Sequence, residues 1–242
     1  AQELSPIMSK HNDDIMMNRG LFDKVKTVYE QRQKLNLKPE QLKLLEETYK
    51  SFIRSGAALN ETQQKRLREI NQELSISSLN YGQNILAENN EYKLIIDKKD
   101  NLAGLPQSSI DAASETATET GNTGKWVFTL QNPSWIPFMT YSAKRELREK
   151  MFWAYAKRGN NGNSHDNNAI IIKIINLRLE KANLLGYKNH AAYVLEESMA
   201  KNPETVSKFL DELWSFARPN TERESAELQR LMDEEGIGAK IE

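Results

Sequence analysis

The sequence has 242 residues, of which 28% are charged and 38% hydrophobic, enough for a packed core in one large domain or two small ones. Lys plus Arg (33) nearly balances Asp plus Glu (34) for a formal net charge of -1, which argues against wholesale nucleic-acid binding and gives no polybasic membrane patch. With no cysteine, disulfides, thiolate catalysis and cysteine-based zinc sites are excluded, and no apolar run approaches the roughly 20 residues that cross a bilayer.

The chain opens Ala1-Gln-Glu-Leu-Ser5, without Met and without a basic then apolar leader. It is therefore expected to be a processed or truncated product. The absence of cysteine suits the cytoplasm, with the periplasm as the alternative.

The first helix is expected from about Met16 to Leu35, with Met17, Leu21, Val25 and Val28 on one stripe. A second opens at Pro39, where a missing N–H is harmless, presents Leu42, Leu45, Tyr49 and Phe52, and ends at Gly56. Asn60 followed by Gln63 is a capping-box signature for a long helix through Leu67, Ile70, Leu74, Tyr81 and Ile85. Ser77 and Ser78 inside that seam point either to close packing or to a locally exposed turn.

Helical periodicity then stops. Tyr92–Ile96 and Trp126–Leu130 are strand-type segments that would pair as a small antiparallel ribbon lying against helices. A loop at 101–106 and a short helix over Ser108–Thr120 lie between them. Asn132-Pro-Ser-Trp-Ile-Pro-Phe138 reads as an extended connector, because a proline disfavours the helical region in its predecessor. Ser142 is placed to cap the next helix, which carries Leu147, Met151, Ala154 and Tyr155. Gly159–His165 is a polar loop. Ile170–Leu185 is apolar on more than one side and reads as a central helix buried by neighbours. Asn202-Pro203-Glu204 opens a last helix with Phe209, Leu210, Leu213, Trp214 and Phe216 as its apolar surface. Pro219 would cost about 3 kcal/mol in a helix interior, so a kink or short break is expected there. The fold class expected is mainly α with a small β-ribbon. Three regions follow: amino-terminal helices over 1–90, a ribbon with a short helix over 91–131, and a helical region over 132–242.

Candidate chemistry is sparse. The three histidines are His11, His165 and His190. A helical zinc site of the His-Glu-x-x-His kind needs two imidazoles four residues apart, and no pair here has that spacing. His11 lies in a polar leader, His165 sits beside Asp166 where it would help cap the following helix, and His190 stands at a helix start. No Gly-x-Ser-x-Gly elbow, phosphate loop or dinucleotide fingerprint is present. Acidic residues alternate with Lys and Arg, as in Arg145-Glu-Leu-Arg-Glu-Lys150, which is the pattern of a solvated face. From these residues no catalytic and no metal-ligating residue is assigned, and substrate contacts are left open.

The strings themselves are more specific. Thr129-Leu-Gln-Asn-Pro-Ser-Trp-Ile-Pro-Phe-Met-Thr-Tyr-Ser142, Asp166-Asn-Asn-Ala-Ile170, Leu177-Arg-Leu-Glu-Lys-Ala-Asn-Leu-Leu-Gly-Tyr187 and Met199-Ala-Lys-Asn-Pro203 resemble the zinc oligopeptidases that include thimet oligopeptidase, oligopeptidase A and peptidyl-dipeptidase. Leu102-Ala-Gly-Leu-Pro106 and Leu21–Glu30 resemble them as well, with most likeness to the bacterial peptidyl-dipeptidase branch. The resemblance implies a largely helical, two-lobed enzyme around a channel for unfolded oligopeptides. Its zinc would be held by a His-Glu-x-x-His helix and a downstream glutamate, all in a later part of the parent chain. The present sequence is then an amino-terminal fragment forming a wall of the channel, inactive alone, lacking the catalytic lobe and its zinc, and prone to self-association. Two alternatives stand beside it: a fragment of an oligopeptidase A-like endopeptidase, and a free-standing helical binding module.

Overall fold

The computed structural model describes residues 3–241. Two compact units divide between Arg178 and Leu179.

In the first unit, α1 (Leu4–Met16) lies along α4 (Glu61–Glu91). Three side-chain pairs join them: Ser5 to Ser75 at 2.6 Å, Asn71 to the buried Asp13 at 2.8 Å, and Arg68 to Asp14 at 2.7 Å. The helix expected from Met16 to Leu35 is instead interrupted. α2 covers Arg19–Glu30 after Asn18, whose side chain accepts from Leu21 N–H, and a short 3₁₀ turn covers Arg32–Lys34. The Asn18 cap satisfies a first-turn N–H and separates α2 from α1, a helix that the polar leader concealed.

α3 (Pro39–Arg54) begins at its proline as expected and packs on α2 through Phe22, Tyr49, Phe52 and Ala57. Tyr29 stacks on Tyr49 at 4.0 Å with an interplanar angle of 7°. The capping box at Asn60 and Gln63 is formed in both directions, satisfying two terminal donors. At 31 residues, α4 is roughly 46 Å long. Ser77 in its seam is buried while Ser78 is exposed, so close packing holds at the first serine only.

β1 (Leu94–Ile96) and β2 (Trp126–Phe128) form the antiparallel ribbon, with Leu94 opposite Phe128 and Ile96 opposite Trp126. The ribbon is covered by α5 (Gln107–Glu119) and α6 (Asn132–Tyr141), and its core joins Ile96, Leu102, Phe128, Leu130, Phe138 and Met151. Each such side chain contributes about 1.5–3 kcal/mol on full burial, which lets a two-stranded sheet persist.

The connector expected at 132–138 is corrected by the structure: these residues begin α6. Pro133 occupies the first turn, and Pro137 is the one proline inside the helix. Only one ladder bond is therefore lost, and the fully buried Phe138, 4.7 Å from Phe128, anchors the segment. Ser142 does not cap α7 (Arg145–Ala156), because Lys144 occupies the N-cap position. The buried Ser142 instead accepts from Lys144 N–H through its hydroxyl and from Arg148 through its carbonyl.

α8 (Asn168–Leu184) carries the unit boundary within it. It is not buried on all sides, since Ile172 and Ile175 are 62% and 58% exposed. Apolar composition alone does not distinguish a covered helix from one with an open face.

The second unit holds α9 (His190–Leu195), capped by Asn189, and α10 (Pro203–Glu234), capped by Asn202. α10 runs through Pro219 as one helix, so of the kink or short break expected there, the break does not occur. This helix is exposed along its length, so water can solvate the carbonyl that loses its donor. Asn220 and Thr221 side chains also bond back to Phe216 and Ala217 carbonyls. The apolar set Phe209, Leu210, Leu213, Trp214 and Phe216 is exposed.

Candidate functional site

The densest polar arrangement lies in the first unit, where the loop between α7 and α8 folds onto the carboxy-terminal half of α4. Glu88 is a single-residue anchor. It is buried on α4, and its carboxylate accepts from Gly159 N–H, from Asn161 Nδ2 at 3.0 Å to each oxygen, and from Asn163 Nδ2 at 2.7 Å. Burial pushes the Glu88 carboxyl upward, but the donors Asn161, Gly159 and Asn163, with the charge of His165, outweigh it and hold the group below its ordinary value.

The loop is tied at two further places. His165 Nε2 lies 3.2 Å from Glu91 Oε1. The buried Asn167 accepts from Asn84 at 3.0 Å and donates to Tyr81 carbonyl at 3.2 Å. Gly159 sits at φ +73°, and a Cβ there would come 2.7 Å from Asn167 Nδ2 and 2.9 Å from Ile85 Cδ1. Only glycine therefore permits this approach. At the loop exit, Asp166 accepts from the backbone N–H groups of Asn168 and Gly162, which hold its carboxyl below the usual range. Asp166, rather than His165, thus takes the role at the start of α8.

An open recess of about 340 Å³ lies beside this clasp, lined by Glu88, Glu91, Tyr92, Leu130, Asn161 and Asn163. Burial raises the Tyr92 phenol. Both Glu88 oxygens are taken by donors, so this carboxylate holds the loop and is not poised as a base. Arg158, next in the chain, donates to Asn89 at 2.9 Å and covers the Tyr155 ring at 3.6 Å, and Tyr155 stacks on Trp135 at 4.3 Å. A second, apolar groove of about 440 Å³ runs between α2 and α3 along Val25, Val28, Leu37, Leu44 and Leu45.

The three histidines are placed apart in their surroundings: His11 exposed on α1, His165 against Glu91, His190 beside Tyr193 at a ring separation of 6.4 Å. Among the described residues no group of three or more His, Cys, Asp or Glu could hold a metal ion. The described His, Asp and Glu residues do not fit a zinc site. Sequence reading did not single out Glu88, Asn161, Asn163 or Asn167. The loop's Asn/Gly composition marked a turn region, but nothing local marked its partner on α4.

Residues 138–242 match the model of Peptidase family M3, in keeping with the resemblance to the oligopeptidase A and peptidyl-dipeptidase group. Among individual proteins, the chain is similar to Oligopeptidase A of Haemophilus influenzae, 34% identical over 238 residues, covering 97% of this chain and 35% of that protein. It is similar to Dipeptidyl carboxypeptidase of Escherichia coli at 30% identity, covering 98% of this chain and 35% of that protein. The Probable cytosolic oligopeptidase A of Arabidopsis thaliana is 36% identical over 88% of this chain and 30% of its own length. The chain thus spans about a third of the length of the relatives it matches.

Proposed function

We propose that this chain is the amino-terminal region of a zinc metallopeptidase that hydrolyses oligopeptides, acting as a peptidyl-dipeptidase, and that it forms a wall of the peptide channel. One observation carries the reading: 94–98% of the chain aligns with oligopeptidase A and dipeptidyl carboxypeptidase of bacteria at 30–34% identity. The clasp of the 159–167 loop on α4 supports a scaffolding role, since it fixes backbone and engages both oxygens of Glu88. In this reading the zinc is held by polypeptide outside the present sequence, and the region of 132–242 leads towards that catalytic lobe. The cytoplasm is the compartment that fits. An endopeptidase reading is favoured by the 34% identity to Oligopeptidase A.

The purified chain, incubated with blocked oligopeptides and zinc, is expected to bind no stoichiometric metal and to cleave nothing. Cleavage that a chelator abolishes would refute its inactivity. For the longer polypeptide, release of carboxy-terminal dipeptides supports the peptidyl-dipeptidase, and internal cuts support the endopeptidase. No hydrolysis of any oligopeptide by that longer polypeptide would sink both.

A further inference from the structure

The loop that closes on Glu88 contains the chain's single Asn-Gly pair, Asn161-Gly162. In such a pair the glycine lacks a side chain to shield its backbone nitrogen, which can reach the preceding side-chain carbonyl. Both residues are exposed and sit in a bend outside any helix or strand. Nothing lies within 4 Å of where a Gly162 Cβ would be, so the backbone has room to turn. Gly162 N–H already points to a proton acceptor, the Asp166 carboxylate, at 3.0 Å. The amide of Asn161 is the same group that donates to both oxygens of Glu88.

We propose that Asn161-Gly162 is a site of spontaneous deamidation, and that the carboxylate it produces releases the 159–167 loop from α4. The Gly162 nitrogen gives its proton to a base, for which Asp166 is placed, and attacks Asn161 Cγ. The Cγ–Nδ2 bond breaks and Nδ2 leaves as ammonia, taking up a proton, which closes a succinimide. Water then adds to one of the two ring carbonyls. Opening at Cγ leaves aspartate, and opening at the main-chain carbonyl leaves isoaspartate. The net change is one water consumed and one ammonia released, with no oxidant or reductant.

The consequence follows from where the amide sits. Two donor contacts at 3.0 Å to a buried carboxylate become contacts between like charges, which repel and also leave Glu88 short of partners. The isoaspartate product adds a backbone carbon and displaces Asn163, the next donor. The loop tie is therefore lost at two points through one change.

The test is incubation of the full chain at neutral pH and 37 °C for days, followed by peptide mapping by mass spectrometry. Amide-to-acid conversion, with isoaspartate, is expected first at Asn161 and suppressed in Asn161→Gln. Earlier conversion at another asparagine, or none at Asn161, would overturn the site. Hydrogen exchange over residues 159–167 is expected to speed about tenfold or more in Asn161→Asp. Should that variant not fold, aged and fresh wild-type protein are compared by the same readout. Unchanged protection in the converted protein would overturn the release.

Discussion

Asn163 donates to Glu88 at 2.7 Å across 75 residues of sequence, and with the Gly159 and Asn161 donors it closes a loop whose other end is fixed by Asn167 on Asn84. The carboxylate that serves as the common acceptor is the element whose removal should be felt most widely.

Glu88→Gln is expected to destabilise the protein by about 1–3 kcal/mol at neutral pH, because one acceptor becomes a donor facing donors. The folded Glu88 carboxyl lies below its ordinary value of 4.5. Its contribution is therefore complete above that value and is lost as pH falls through the lower folded value. Urea unfolding between about pH 3 and 7 should show a flatter acid limb in the variant than in wild type. Equal slopes would show that the clasp does not titrate with folding.

Gly104→Ala and Gly82→Ala should move stability in opposite directions. Gly104 has φ +88°, and a Cβ there would lie 2.3 Å from Tyr141 carbonyl oxygen, so alanine should cost at least about 2 kcal/mol. Gly82 lies within α4 with nothing within 4 Å of its Cβ position, and alanine should add about 0.5–1 kcal/mol. Thermal unfolding of the pair separates them, and a gain at Gly104 would contradict the close approach.

The helix caps are individually measurable. Asn60 and Asn202 each accept from the backbone N–H three residues on, at 2.9 and 2.8 Å. Alanine at either position should cost about 1 kcal/mol of local stability. Hydrogen exchange should locate the loss in the first turn of α4 or of α10, and a loss spread evenly over the chain would point elsewhere.

The open face of α10 predicts association. Phe209, Trp214 and Phe216 are 58%, 59% and 70% exposed on one helix, and apolar side chains exposed together mark interaction surfaces. Light scattering should show assemblies that shrink, with less binding of apolar dye, in Leu210→Glu with Trp214→Glu. A monodisperse single-chain species in the wild-type protein would count against it.

Much of the local architecture could be read before any coordinates, for reasons visible in particular residues. Asn60 with Gln63, Pro39, and Asn202 before Pro203 act within one turn of chain, so their signals are local and survived into the structure. The ribbon strands were also legible, although each is shorter than its apolar run. The failures have a common cause. Pro137 lies in a helix because Phe138 is buried by Phe128 and its neighbours, and tertiary packing overrode a local preference. Glu88 could not be singled out because its partners lie 71 to 75 residues away. Nothing in its own surroundings on α4 separates it from the solvated glutamates nearby.

α6 has a particular dependence. With proline in its first turn and another at position 137, ten residues share a hydrogen-bond ladder already missing a rung, too short to persist by itself. Its order is borrowed from the aromatic interior it touches. Drift in Phe138 would thus melt a segment instead of merely hollowing one, and the ribbon would lose its lid in the same event.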